Sequence, residues 1–439
     1  MTSAGQGPMP GRIQFLALVA AMGGFLFGYD AAVINGAEQQ IQSVWGLSAA
    51  QHGLVMSAAL WGTVLGALFG GRLTDAWGRK RTLIAVSALY LVSAVWSAAA
   101  TVPPSLVAAR FVGGLGVGLS SIVAPVYIAE IAPAERRGRL GALFQFNIVL
   151  GMVMSQVANW MVGLAGLGDA TWRWMLGAEA LPALAFTALC PFLVESPRWL
   201  AMRGAATDGG AAAGGGFFSR ANLKPIMLAF LVALFNQLSG IAVVLYFACR
   251  IFQMVGCSRE TALAVTAGLT AFQGAATMLG LWLIDRAGRK KLLVFGGTGY
   301  VISLFACALA LLLGWNAVAA VSVFVFVFSH AVGQGTVIWV FISEVFPQRY
   351  RAQGQSLGCS THWVMCAALT FVFPSMVATM PAWSIFALFG VFMVGHLLWA
   401  VFAVPETKGR SLDEVAENSD TSPANAECGE IHQDKGSWK

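Results

Sequence analysis

Charge is scarce in this chain. Only 10% of its 439 residues are Asp, Glu, Lys or Arg, where a soluble domain carries about 25%. That scarcity excludes an ordinary soluble fold, and a hydrophobic content of 58% points to a membrane-embedded one. Paired cysteines are missing too. Cysteines 190, 249, 257, 307, 359, 366 and 428 are scattered with no C-x-x-C spacing, so buried free thiols are expected rather than disulfides or a thiolate metal site. No nucleophile–base pair, metal-ligand cluster or phosphate loop can be read, which argues against an enzyme and against a cofactor. The polar start "MTSAGQGPMPGR" carries no cleavable signal pattern. The first apolar run is therefore expected to act as its own insertion signal.

Long apolar runs are abundant. A helix of about 20 residues crosses a hydrocarbon core of about 30 Å. Twelve runs qualify, near 13–35, 53–74, 82–101, 105–131, 140–164, 173–194, 224–252, 261–284, 291–314, 317–346, 353–378 and 382–404. Of the 26 Lys and Arg, 22 fall on one side of this arrangement; Arg173, Arg250 and Arg259 fall on the other, and Arg110 lies at an edge or inside a span. The Lys/Arg-rich side is expected to be cytoplasmic. Both termini then lie inside a plasma (inner) membrane, and the net charge of +6 reports topology rather than nucleic-acid binding.

The chain also repeats itself. Residues 71–81 read "GRLTDAWGRKR" and residues 281–291 read "LWLIDRAGRKK"; both place D-x-x-G-R-K after the second span of a half. Residues 127–138, "YIAEIAPAERRG", pair with residues 341–352, "FISEVFPQRYRA", and "VESP" at 194–197 pairs more weakly with "PETK" at 405–408. The reading is an all-α membrane protein of twelve transmembrane helices in two six-helix halves. Residues 1–12 lead into a first half at 13–200. A shortened Gly/Ala-rich linker at 201–223 precedes a second half at 224–404, and a polar tail follows at 405–439. Repeated halves of this kind describe transporters that rock about a mid-membrane site.

These motifs resemble the sugar porter family of the major facilitator superfamily. The likeness runs through "RFVGGLGVGLSSIVAPVYIAEIAPAERRG", "VESPRWL", "NQLSGIAVVLYF", "DRAGRK", "GTVIWVFISEVFP" and "PETKGRSLDE", besides "GRLTDAWGRKR". The resemblance implies alternating access, a monosaccharide substrate, a monomer in the lipid bilayer, and a cytoplasmic gate of ion pairs. The gate residues would be Arg79, Glu130 and Arg137 in one half and Arg289, Glu344 and Arg351 in the other. Exposed pairs worth about 0–1 kcal/mol each can latch a closed state and still release it.

A sugar needs neutral groups that both donate and accept, which amides supply, and aromatic faces for its C–H side. By resemblance Gln145, Gln237 and Trp339 would bind it, with Gly335 in the flexible stretch before Trp339. Asn236 stands where many relatives have Gln, Gln273 where they usually have Asn, and His362 where better-known relatives have Asn or Gln; these too would bind substrate. Ala242 stands where the family has a sugar-binding Asn, and Thr336 where relatives often have Pro. Phe27 and Tyr246 would line the wall or simply pack. His52, His330 and His396 read as packing or loop residues, and His432 lies in the tail, so no metal site is expected.

Asp30, in "GGFLFGYDAAVING", is the most costly residue of the first span. A mid-membrane carboxylate costs about 2.5–3.5 kcal/mol even on the lenient insertion scale and needs a partner or a proton. Arg110 is the one basic residue placed to supply it within the first half. Proton-coupled sugar porters carry Asp and Arg at the matching positions, whereas facilitators of the human type carry Asn in place of the Asp. The expected function is proton-coupled symport of a hexose or pentose. The alternatives are a facilitative uniporter and a transporter-like sugar sensor, the latter disfavoured by the short tail.

Overall fold

The computed structural model describes residues 10–133, 137–204, 217–347 and 350–408. Most of the N-terminal segment, the centre of the linker and the tail from 409, with Cys428 and His432, lie outside the described residues. In lipid a backbone must satisfy its own hydrogen bonds, which favours helices, and no strand occurs among the described residues. Among the described residues twelve spans are long and apolar enough to cross a membrane, matching the twelve read from hydropathy.

The first half contains α1 (Pro10–Trp45), α2 (Ala49–Trp77), α3 (Arg79–Ala99), α4 (Pro103–Ile131) and α5 (Arg137–Leu164). Its sixth span is α6 (Thr171–Gly177) followed by α7 (Ala180–Leu189), and the short α8 (Pro197–Gly204) comes after it. The second half opens with α9 (Leu223–Leu238), α10 (Ile241–Tyr246) and α11 (Ala248–Met254). It continues through α12 (Arg259–Ala287), α13 (Arg289–Leu313), α14 (Asn316–Val332), α15 (Gln334–Val345), α16 (Arg351–Thr379) and α17 (Ala382–Phe402).

Three spans depart from their expected outlines. α1 runs to Trp45, well past the expected end at 35. Its polar extension is held between helices, where Glu38 is 0% exposed, so hydropathy alone could not follow it. The seventh span breaks at Gly240, in the left-handed region at φ +84°. The tenth breaks at Gly333, and the Thr336 hydroxyl takes the Ala331 carbonyl at 2.5 Å beside the break. Irregular backbone at membrane depth is tolerated where protein buries it or a cavity lies beside it.

Local chemistry repeats between the halves. Ser48 caps α2 with a reciprocal Gln51 bond, and Ser258 caps α12 through Thr261. Gly78 (φ +94°) and Gly288 (φ +90°) precede α3 and α13. A Cβ at Gly78 would meet the Glu195 carboxylate at 2.4 Å, and one at Gly288 would meet that of Glu406 at 2.6 Å. Those carboxylates accept from the first backbone N–H groups, Arg79 N to Glu195 at 2.8 Å and Arg289 N to Glu406 at 2.9 Å. The weak "VESP"/"PETK" repeat is thus a pair of helix caps, favoured by the positive end of each helix dipole. Between α1 and α5, a Cβ on Gly28 would sit 1.9 Å from the Ile148 carbonyl, and one on Gly151 equally close to that of Phe25. Small residues here let the two helices touch backbone to backbone.

The apolar core has three parts. One cluster draws on both halves, from Tyr29, Val33 and Trp172 to Phe247, Tyr300 and Phe389. A second lies wholly within the first half, around Leu26, Val86, Tyr127 and Phe186. A third lies wholly within the second, around Val232, Ile284, Phe341 and Phe346. The separate clusters lie toward the end that carries Arg79 and Arg289, here termed the basic face. The halves share one core toward the opposite face and hold separate cores toward the basic face.

Candidate functional site

Two of the polar groupings inside the bundle hold the residues expected to bind proton and sugar. In the first half, Arg110 of α4 grips Asp30 of α1. Its Nη1 donates to Asp30 Oδ1 at 2.6 Å, and its Nη2 to Oδ2 at 3.3 Å and to the Asp30 carbonyl at 2.8 Å. The Asp30 side chain is 1% exposed and that of Arg110 2%. Gly113, one turn along α4, leaves the room: a Cβ there would lie 3.2 Å from Asp30 Oδ1 and 2.4 Å from Ser93 Oγ.

A third charged group joins the pair. Glu179, at the bend between α6 and α7 and 1% exposed, lies near the Asp30 carboxyl, and its Oε1 is buried and unbonded among the described residues. Sequence reasoning missed it, because nothing in "LGAEALPALAF" signals a partner so distant along the chain. Two carboxylates and one guanidinium carry one net negative charge, and one shared proton makes the cluster neutral. Tyr246 ends α10 in the second half and is buried.

The amides form the second grouping. Gln145, Ile148, Val149 and Met152 of α5 face Thr270, Gln273, Gly274 and Thr277 of α12 across a cavity of about 120 Å³, which His330, Ala331 and Gly335 close. Usual ligand pockets measure about 300–1,000 Å³, so this narrow cleft accommodates one edge of a small ligand. The Gln273 Oε1 atom is buried and unbonded among the described residues. Gln237 Nε2 contacts Asn236 Oδ1 at 3.0 Å and the His362 ring at 3.2 Å, and its own Oε1 is likewise buried and unbonded. Acceptors left open in a buried site suit a ligand that brings hydroxyl donors.

Aromatic rings join the two halves beside the amides. Trp339 packs edge-on to His362 at 5.1 Å, His362 to Trp363 at 5.0 Å, and Trp363 to Phe27 of the first half at 5.8 Å. Phe27 therefore packs at the junction of the halves. His330 is more than the packing residue expected from sequence. Its Nδ1 lies 2.7 Å from the Tyr300 hydroxyl, which in turn lies 3.2 Å from Gln334 Oε1. If the single Tyr300 proton goes to Gln334, His330 donates from Nδ1 and presents Nε2 as an acceptor beside Gly335. His396 does pack, against Phe235, Tyr300 and Trp399.

On the basic face each gate cluster closes within its own half. Arg79 holds Glu130 through Nε at 3.0 Å and Nη2 at 2.9 Å, and it also reaches Asp75. Arg289 holds Glu344 at 3.0 and 2.7 Å and reaches Asp285. Thr407 adds a bond to Glu344 at 2.7 Å. Among the described residues no ion pair joins the halves on this face. Arg137 begins α5, but its side chain lies outside the described residues. Arg351 leaves Nε and Nη2 buried without a partner among them.

Comparison with known proteins fits this geometry. The family model for the sugar (and other) transporter matches residues 16–213 and 205–418. This chain belongs to that family. The D-xylose-proton symporter of Escherichia coli (strain K12) is 31% identical over 463 residues, covering 91% of this chain and 94% of that protein. The glucose transport protein of Synechocystis is 32% identical, covering 90% of this chain and 95% of that protein. Among solved structures, the inward open conformation of the xylose transporter XylE from E. coli superposes with a TM-score of 0.81 at 29% identity, covering 92% of this chain and 99% of that one. The chain is a multi-pass membrane transporter of the major facilitator fold and not an enzyme, and its family and relatives support sugar transport.

Proposed function

We propose that this transporter carries a monosaccharide, a hexose or pentose, together with a proton by alternating access. The observation that carries the proposal is the buried Asp30–Arg110 pair with Glu179 beside it. A carboxylate against a guanidinium stays ionised, whereas one moved away from it into a dry site favours its proton. Rocking of the second half against α1 and α4 alters this balance, so conformation and proton occupancy are linked. Sugar engages Gln145, Gln237, Gln273, Asn236 and His362 by hydrogen bonds and Trp339 by its face, with Gly335 and Phe27 at the wall.

Sidedness follows from Lys and Arg: the basic face lies in the cytoplasm, with both termini there, and the protein sits in the plasma membrane as a monomer. Separate cores on the basic face then correspond to an inward-facing state, in accord with the likeness to an inward open relative. Arg79–Glu130 and Arg289–Glu344 stand ready to pair across the halves when that face closes.

The test is uptake into proteoliposomes with an imposed pH gradient. The purified transporter should accumulate sugar above equilibrium, and Asp30→Asn should abolish accumulation while counterflow exchange survives. Equilibration without accumulation in the unmodified protein would favour the uniporter. Accumulation intact in Asp30→Asn would remove Asp30 from the coupling, and binding without counterflow would favour a sensor. A competition panel of hexoses and pentoses in the same assay identifies the sugar.

A further inference from the structure

The opposite face is closed by polar contacts that run from α1 to the second half. Asn35 Nδ2 donates to the Leu245 carbonyl at 2.5 Å, and Cys249 N donates to Asn35 Oδ1 at 3.1 Å. Two turns beyond Asp30, Glu38 receives Arg250 bidentately, from Nε at 2.9 Å and Nη2 at 2.8 Å, and Gln42 accepts from the same Nη2 at 2.5 Å. Opening this face must draw Arg250 of α11 away from Glu38 of α1.

That separation leaves a charge problem. Glu38 is 0% exposed, and removing one partner of a buried pair strands the other charge at a cost of about 3–5 kcal/mol. A replacement stands within its own half. His52 of α2, also 0% exposed, places Nε2 3.1 Å from Glu38 Oε2. In the closed state that approach is too poorly aligned for a hydrogen bond, and both ring nitrogens are buried and unbonded. With His52 neutral, Glu38 and Arg250 balance each other. Once Arg250 leaves, a protonated His52 restores the balance.

Among the described residues, Glu38 has no ion pair besides those with Arg250 and His52. Phe247 stacks edge-on to the His52 ring at 6.1 Å. Arg259 of the second half reaches Gln40, and Arg110 of α4 is committed to Asp30. The turn of α16 that meets α2 at Gly53 is "ALTFVFP", without a titratable group. The Cys249 thiol is the remaining titratable neighbour of Glu38.

We infer that Glu38 and His52 form a second proton-binding site, separate from Asp30, that takes up a proton as the opposite face opens and releases it as Arg250 returns. The proton comes from the solution on that face and binds His52 Nε2, which then donates to the Glu38 carboxylate. The N–H bond forms as the hydronium that supplies the proton gives up an O–H bond and is left as water. Acid on that side therefore favours the open state. The inference requires rocking of the halves but no assumption about what the central site carries.

The test reads conformation directly. Spin labels on Ser43→Cys of α1 and Met254→Cys of α11, which line one groove on this face, report the gap between halves in nanodiscs, with accessible native cysteines replaced. Lowering the pH from about 8 to about 5.5, across the range where imidazole titrates, should lengthen this distance in the unmodified background. One linked proton changes the open-to-closed ratio by at most about tenfold per pH unit. His52→Gln should lose that part of the acid response. Glu38→Gln should open at either pH, with no acid response left from this site. His52→Lys, charged throughout, should already favour the open state at the higher pH. A full acid response in His52→Gln, or a Glu38→Gln protein that stays closed, would overturn the inference. Because the readout needs neither sugar nor flux, its failure is distinguishable from failure of the symport reading.

Discussion

Asp30 is affordable in the membrane because Arg110 meets it with three hydrogen bonds and Gly113 clears the space. Removing the cation is the damaging change. Arg110→Leu leaves Asp30 and Glu179 as buried carboxyls without a counter-charge and should cost about 3–5 kcal/mol. That loss reads as a lower thermal unfolding midpoint in detergent, whereas Asp30→Asn should unfold much closer to the parent. In the amide grouping, Gln237→Ala removes one neutral hydrogen-bonding partner worth about 0.5–1.5 kcal/mol. Half-saturation for sugar uptake should rise by a few-fold to about tenfold, with the maximal rate less affected. Asp30, Arg110 and the amides were legible in sequence because each is polar where hydropathy demands apolar. Glu179, His52 and His330 were not, because their roles depend on neighbours brought together by the fold.

At the scale of elements, the twelve spans follow from hydropathy, but the breaks at Gly240 and Gly333 do not. Apolar residues continue across both, and a glycine in a membrane helix more often marks close packing than a bend. The repeated caps are a sharper case. Glu195 and Glu406 lie outside the spans in sequence, yet each closes the N-terminus of a helix more than a hundred residues away in the chain. Glu195→Gln should weaken the α3 terminus by about 0.5–1 kcal/mol through loss of the charge–dipole term, and Glu406→Gln should do the same at α13. Faster hydrogen exchange in the first turns of α3 and α13 checks this. Gly151→Val should be far worse, since a Cβ there meets the Phe25 carbonyl at 1.9 Å; folded protein recovered from membranes should fall steeply.

For the whole molecule, the two-fold repeat announced the architecture, while the conformation was not legible. One sequence must encode both an inward- and an outward-facing arrangement, and the repeat is common to them. The structure joins the halves through one shared core toward the opposite face and keeps two separate cores toward the basic face. Asn35→Ala removes two hydrogen bonds between the halves on the closed face. At about 0.5–1.5 kcal/mol each, their loss should raise maleimide labelling of Met254→Cys severalfold.

The central claim is that sugar and proton move together, and the most direct measurement is electrical. Proteoliposomes adsorbed on a solid-supported membrane, given a sugar concentration jump with no imposed pH gradient, report charge carried with the sugar. The account predicts a transient current in the direction of sugar entry that Asp30→Asn abolishes while sugar still exchanges. Sugar flux in the unmodified protein with no accompanying charge would contradict it.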